Sequence, residues 1–441
     1  MAKLLFLELE QETHWAVASV GPAYIAAYVR LHNHSVSLVN VKVDADYSRI
    51  LSEIQTHSPD IIGISLTSRQ WLSAKNLVHY IKQTLNIPVI AGGLFATFSS
   101  DVILETSGFD FVCLGEGELA TCELLDTIDA GSQHFNNIRN IRSKGQPIPE
   151  LRPVFSPIDD MPFIARDMLG EQYGVVNIST QRGCPYPCTY CAAHHINNLY
   201  ENGYAEYGRR RSVANVIDEL LQIKQQSELN YVVFLDDTFT LNHRWLDSFC
   251  RVYGLQLHTP FSINARVETV NETVLKHLAD AGCRHVIYGV ESGSERVRQD
   301  ILKRNVSNIK MVKAFEWTRE NGMLATANYM LGIPGETEDD IQQTLDLHEQ
   351  LKPDDFGYFI FYPYPGTSLF KLCKDKGYLP ENYHELPANH HQSILNLPDL
   401  SQEVIAHYFE KFTNLRIRDR MLAVDDVKEV TDQMNTAAAQ I

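Results

Sequence analysis

The chain has 441 residues, 44% of them hydrophobic, and carries a formal net charge of −17. That length exceeds one ordinary core and predicts two domains plus an extension, while the charge repels phosphate backbones and argues against nucleic acid as a partner. The opening MAKLLFLELE has neither a basic flank nor a cleavable apolar segment, and no run of about 18 apolar residues occurs, so the chain reads as cytoplasmic with no membrane contact.

Up to about residue 130, short apolar runs alternate with helical patterns. KLLFLEL is followed by a helix from about Gly21, SVSLVNV by one from about Tyr47, and DIIGISL by one from about Gln70; IPVIAG, FDFVCLG and a last helix complete the series. Five strands with intervening helices predict a doubly wound, Rossmann-like α/β domain over 1–130, with ligands outside the carboxyl ends of the strands. There the sequence places Ser65 and Thr67 in SLTS, Gly92 and Gly93 in AGGLFATF, and Gly115 and Gly117 in LGEGE. Glycines at such ends either admit a large cofactor close to the backbone or only serve tight turns.

The polar, Pro-rich stretch 131–170 reads as a linker. Beyond it YGVVNIST, YVVFLDD, FSINARV, HVIYGVE, LATANYML and FGYFIFY alternate with helical patterns from about Ser212, His243, Asn271, Asn308 and Thr337. Six βα-type units over 171–375 predict a partial TIM-type barrel, with its chemistry at the carboxyl ends of the strands. Residues 376–441 read as a polar, helical extension. The run Arg209 to Arg211 lies before the helix at Ser212, either as a solvated helix entrance or facing an anionic group.

Of eight cysteines, Cys113, Cys122, Cys250, Cys283 and Cys373 are scattered, as buried small apolar residues are. The other three, Cys184, Cys188 and Cys191, are grouped in QRGCPYPCTYC just past the first barrel strand, where Pro185 and Pro187 keep the loop from becoming a helix. One reading is a zinc site completed by His194 or His195. The other is a four-iron cluster, which normally takes four thiolates. Three thiolates leave one iron open to a bidentate amine and carboxylate, as S-adenosylmethionine offers.

RGCPYPCTYCA resembles the cluster loop of the radical S-adenosylmethionine superfamily, and further segments agree with that family in order and spacing. FLDDTFT resembles the segment that contacts the cofactor's amino group, which implies Asp236 and Asp237; by residue type alone they are also helix caps. INARVE implies that Arg266 pairs with the cofactor carboxylate as a two-donor fork, and YGVESGSERV that Glu291 accepts from the ribose. Without the cysteines these two would read as an ordinary ion pair. MLGIPGET, with Gly332, Ile333 and Pro334, resembles the adenine-binding segment, and Tyr190 fills the aromatic position before the last cysteine. The resemblance implies a [4Fe-4S] cluster that cleaves S-adenosylmethionine to a radical able to abstract hydrogen from a small-molecule substrate. It also implies an external electron donor such as flavodoxin or ferredoxin.

The first domain resembles the cobalamin-binding domain that precedes the radical domain in a subgroup rich in methylases. This implies cobalamin on Ser65, Thr67, Gly92, Gly93, Gly115 and Gly117, and methyl transfer to an unactivated centre of a small metabolite or natural-product intermediate. The alternatives are a radical cyclase, oxidase or rearrangement enzyme, or a metal-binding redox sensor. Two features depart from the subgroup: ETHWAV has Glu12 and His14 but Val17 where the cobalt-ligating motif has glycine, and Leu94 with Phe95 stand where Pro-His is frequent. No histidine is therefore expected below the cobalt.

Overall fold

Each apolar run read from the sequence forms a strand in the computed structural model, which describes residues 1–10, 20–106, 108–132, 134–135 and 137–419. Glu12, His14 and Val17 lie outside the described residues. Strands β1 (Lys3–Leu9), β2 (Ser35–Val41), β3 (Ile61–Ser65), β4 (Val89–Gly92) and β5 (Phe111–Cys113) pair in parallel in the order β2-β1-β3-β4-β5. Helices cover both faces. Leu5, Ile62 and Ile64 pack with Trp71 and Leu77 on one side, while Leu4, Phe6 and Ile61 pack with Ala23 and Ala26 on the other. Burial on both faces is why these strands read as continuous apolar runs. The stretch read as linker adds a short strand, β6 (Ile141–Ser143), antiparallel to β5.

The second sheet contains β7 (Val175–Ile178) and five later strands. Between them, β8 (Gln181–Arg182) and β9 (Arg209–Arg210) form a short antiparallel ribbon that draws the arginine run against the three-cysteine loop. Then come β10 (Tyr231–Phe234), β11 (Phe261–Ala265), β12 (Cys283–Glu291), β13 (Leu324–Leu331) and β14 (Asp355–Ile360). The order is β14-β13-β12-β11-β10-β7, parallel throughout, so the barrel is partial, with β7 and β14 as its edges. Helix starts are set by side chains: Ser212, Asn242, Asn271, Ser307 and Thr337 each accept a backbone N–H of the following turn. Phe234, Phe249, Tyr253 and Phe261 fill the space beneath β10 and β11.

Among the described residues the extension is α-helical from 402 to 419, where Ile405, Tyr408 and Phe412 join the barrel core. Its first part runs irregularly back to the first domain. There Trp71 Nε1 donates to the carbonyl of His384 at 3.0 Å and Lys75 pairs with Glu385 at 2.6 Å. Among the described residues no helix is long and apolar enough to cross a membrane.

Candidate functional site

The three-cysteine loop is held from below by Asp236, at the end of β10. Its carboxylate accepts from the backbone N–H groups of Thr180 (2.7 Å) and Gln181 (3.0 Å), from Ser179 Oγ (3.2 Å) and from the Thr180 hydroxyl. Burial pushes this carboxyl up, and those donors pull it back. With its oxygens engaged by residues 179–181, Asp236 clamps the start of the loop. Asp237, next along, turns toward solvent at the rim. The protein packed around it, with the Asp236 charge added, pushes its carboxyl up to about 6.

Cys184 and Cys188 are buried, Cys191 is half-buried, and Asn197 fixes the carbonyl of Cys184 at 2.7 Å. Among the described residues, the one set of three His, Cys, Asp or Glu ligand atoms within 4.8 Å of one another is His34, Cys122 and Asp126, in the first domain. That set is a hydrogen-bond chain: the N–H of Ala2 donates to His34 Nδ1 (3.3 Å), so Nε2 keeps its proton and donates to Asp126 (3.1 Å). The thiols of Cys184, Cys188 and Cys191 are spread more widely. A tetrahedral zinc with bonds of about 2.3 Å needs thiolates about 3.8 Å apart, so the spacing fits a larger centre better than the zinc reading. His195 Nε2 is occupied by the N–H of Ser368 at 3.1 Å.

Arg266 reaches over this loop from the end of β11. Nη1 donates to Cys188 Sγ at 2.9 Å, Nη2 to Glu268 at 2.5 Å, and the guanidinium lies 3.8 Å from the Tyr186 ring centre. Its Nε is buried without a partner, an orphan donor on a guanidinium that touches the cysteine loop. Glu291 closes β12 at a φ of 68°, and its Oε1 accepts from Tyr190 Oη (2.9 Å) and Arg304 Nη1 (3.1 Å). Arg304, absent from the sequence reading, also holds the carbonyl of Gly289 at 2.7 Å. Gly332, Ile333 and Pro334 are buried. The N–H groups of Gly332 and Ile333 donate to Glu336 Oε2 at 2.7 and 3.1 Å, and Ile333 packs in an apolar cluster that Tyr190 touches.

The carboxyl edge of the first sheet opens into a cavity of about 290 Å³. Ser65, Gly92, Gly93, Gly115 and Gly117 line it, and Arg182 and Tyr207 complete its wall from the second domain. Thr67 is absent from this wall, because its N–H and hydroxyl both go to Gln70 Oε1. The paired glycines divide the two roles left open by the sequence. A Cβ on Gly92 would meet nothing within 4 Å, whereas one on Gly93 (φ +87°) would lie 2.8 Å from the carbonyl of Leu66. Gly92 leaves room for a ligand; Gly93 makes the turn.

The arginine run is inward-facing. Arg209 and Arg182 share Glu116, Arg182 also takes Glu118 at 2.5 Å, and Arg211 pairs with Glu219 at 2.6 Å. A second cavity, of about 330 Å³, lies at the carboxyl ends of β12, β13 and β14. Tyr190, Glu291, Asn328, Tyr364 and His390 line it, with Arg69 from the first domain.

A three-thiol loop at the carboxyl end of a partial parallel barrel, facing a glycine-lined edge of a doubly wound domain, defines a radical S-adenosylmethionine enzyme with a corrin-binding domain. Residues 178–348 match the model of the Radical SAM superfamily and residues 6–125 that of the B12 binding domain. The chain is 30% identical over 374 residues to the uncharacterized methyltransferase PH0819 of Pyrococcus horikoshii, covering 80% of this chain and 78% of that protein. It is 24% identical to an anaerobic magnesium-protoporphyrin IX monomethyl ester cyclase of Rubrivivax gelatinosus, covering 82% of this chain and 67% of the cyclase. The radical S-adenosylmethionine methyltransferase TsrM of Kitasatospora setae, solved with cobalamin and a [4Fe-4S] cluster, shares the fold. Its TM-score is 0.70 at 17% identity, over 85% of this chain and 75% of TsrM. The chain belongs to the radical SAM superfamily, in the group with an N-terminal B12-binding domain. Its cofactors are accordingly a [4Fe-4S] cluster, S-adenosylmethionine and cobalamin.

Proposed function

We propose that the protein is a cobalamin-dependent radical methyltransferase acting on a small molecule. One observation carries this reading: the glycine-lined cavity of the first sheet is walled by Arg182, two residues before Cys184, so the corrin edge and the cluster loop share one gap. When bound, the cluster with S-adenosylmethionine supplies a hydrogen-abstracting radical and cobalamin a transferable methyl group.

Within this reading Cys184, Cys188 and Cys191 hold the cluster. Asp237, left open where Asp236 is spent, takes the cofactor's amino group, and Arg266 takes its carboxylate through the donor that lacks a partner. Glu291, oriented by Tyr190 and Arg304, accepts from the ribose, and the buried backbone at Gly332 to Pro334 borders the adenine. Ser65, Gly92, Gly93, Gly115 and Gly117 shape the corrin site. The enclosure these groups create excludes water from the reacting atoms.

Anaerobic reconstitution with iron, sulfide and hydroxocobalamin, followed by S-adenosylmethionine labelled in its methyl group, tests the reading. Label in the corrin fraction, together with loss of iron on Cys184→Ala, Cys188→Ala or Cys191→Ala, is expected. Cleavage of S-adenosylmethionine with no corrin retained would instead favour the second reading, a radical reaction without methyl transfer, for which the cyclase relative is the pointer.

A further inference from the structure

The second cavity carries a feature that no cofactor contact uses. His390 belongs to the irregular part of the C-terminal extension, and it is pinned onto the end of β14 in two ways: the N–H of Ile360 donates to the carbonyl of His390 at 2.9 Å, and His390 Nδ1 donates to the carbonyl of Ile360 at 3.1 Å. Its backbone adopts φ of 60°, a conformation that a side chain occupies at a cost of about 1 kcal/mol or more. The ring meets Phe359 edge-on at 5.9 Å, and its Nε2 lies 2.6 Å from the Tyr364 hydroxyl.

The direction of these bonds follows from the carbonyl of Ile360. A carbonyl only accepts, so Nδ1 carries the ring proton, and burial keeps the imidazole neutral by pushing its pKa below the ordinary value. Nε2 is then a lone pair, and the Tyr364 hydroxyl must donate to it. With its proton committed, the Tyr364 oxygen meets a cavity occupant as an acceptor, beside the Arg69 guanidinium. Much of the rest of the wall is apolar and aromatic, with Met330, Phe359 and Tyr362; Asn328 adds an amide, Arg69 a cation whose charge acts on Tyr364, and Glu291 of the candidate nucleoside site also lines it.

We propose that this cavity is the substrate pocket, that Tyr364, held as an acceptor by His390, is its specificity-determining residue, and that the substrate is a planar aromatic or heteroaromatic molecule presenting an N–H or O–H donor. The placement of the pocket rests on the proposed function. The polarity of the Tyr364–His390 pair does not.

Indole and benzofuran have the same shape and differ in an N–H replaced by an oxygen, so their affinities isolate the donor. Equilibrium dialysis of each against the anaerobically reconstituted full chain is expected to show indole binding about tenfold more tightly, because a site built around one hydrogen bond rejects the analogue lacking it. Tyr364→Phe should bring the two within about twofold, as should His390→Asn, whose amide still donates to Ile360 but leaves Tyr364 free to donate. Either variant suffices if the other does not fold. Equal affinities in the unaltered protein, no binding of either compound at millimolar concentration, or an undiminished preference in the folded variants would overturn the proposal. Binding is read without turnover, so this result and the methyl-transfer result stand or fall separately.

Discussion

Arg182 donates to Glu116 Oε1 at 2.7 Å, a bond that joins the loop after β5 of the first sheet to the residue two positions before Cys184. Glu116 keeps Arg209 if Arg182 is removed, but the buried Glu118 loses its arginine partner. Arg182→Met is therefore expected to cost about 3–5 kcal/mol, the range for breaking a buried pair from one side. Thermal melting should show the loss, and corrin content after reconstitution should fall with it.

Asp236 and Asp237 are adjacent but should fail differently. Asp236→Ala removes the acceptor of four bonds that shape the loop, so iron content should collapse along with binding of S-adenosylmethionine. Asp237→Asn should keep its iron and lose affinity for S-adenosylmethionine by about 1.5–3 kcal/mol, the scale of a hydrogen bond to a charged group. Iron analysis and equilibrium dialysis on the two variants separate the roles; equal iron loss in both would refute the division.

The neighbouring glycines of β4 and its turn make a similar pair. Gly92→Leu projects into open space and should leave melting unchanged while excluding cobalamin. Gly93→Ala puts a methyl group against the Leu66 backbone at a φ of +87° and should destabilise the fold by at least about 1–2 kcal/mol. Melting curves and corrin spectra should show opposite patterns for the two.

Glu336 gives the fold a pH dependence of known sign. Its Oε2 accepts two backbone N–H groups, its Oε1 is buried without a partner, and burial pushes the carboxyl up to about 8. An acid whose folded pKa lies above its unfolded value binds more protons when folded, so stability is lost as pH rises between the two. The slope from this group is about 1.4 kcal/mol per pH unit between about pH 4.5 and 8. Glu336→Gln cannot ionise and should flatten the melting temperature across that window; an unchanged slope would show that another group is responsible.

The strands and helix starts were legible because the apolar runs and their Ser, Asn and Thr caps are local signals. Strand β6 was not: three residues, Ile141 to Ser143, inside a polar and Pro-rich stretch gain their pairing from β5, a tertiary effect. The cysteine loop stood out by spacing, yet adjacent aspartates look alike in a sequence, and only the loop folded onto Asp236 sets its surroundings apart from those of Asp237. Thr67 shares a segment with the cavity-lining Ser65, but Gln70, three residues on, takes both its donors. Arg304, Tyr364 and His390 belong to no motif used in the reading, and their importance comes from strands and an extension that meet only in three dimensions. The YPYPG run around Tyr364, aromatic residues among turn-formers at a barrel strand's end, was the available hint.

The chain leaves the first sheet through residues 131–170 and returns to it where Trp71 and Lys75 grip His384 and Glu385. The two halves are thus moored at two separated points in addition to the ties of Arg182 and Arg209 to Glu116, which stand at the gap itself. Any parting of the halves must also open the ties at Glu116, which lines the cavity where a corrin would sit. Cutting the mooring at His384 would add routes of entry and exit, and so speed exchange of the cofactor in both directions without altering the surfaces that grip it.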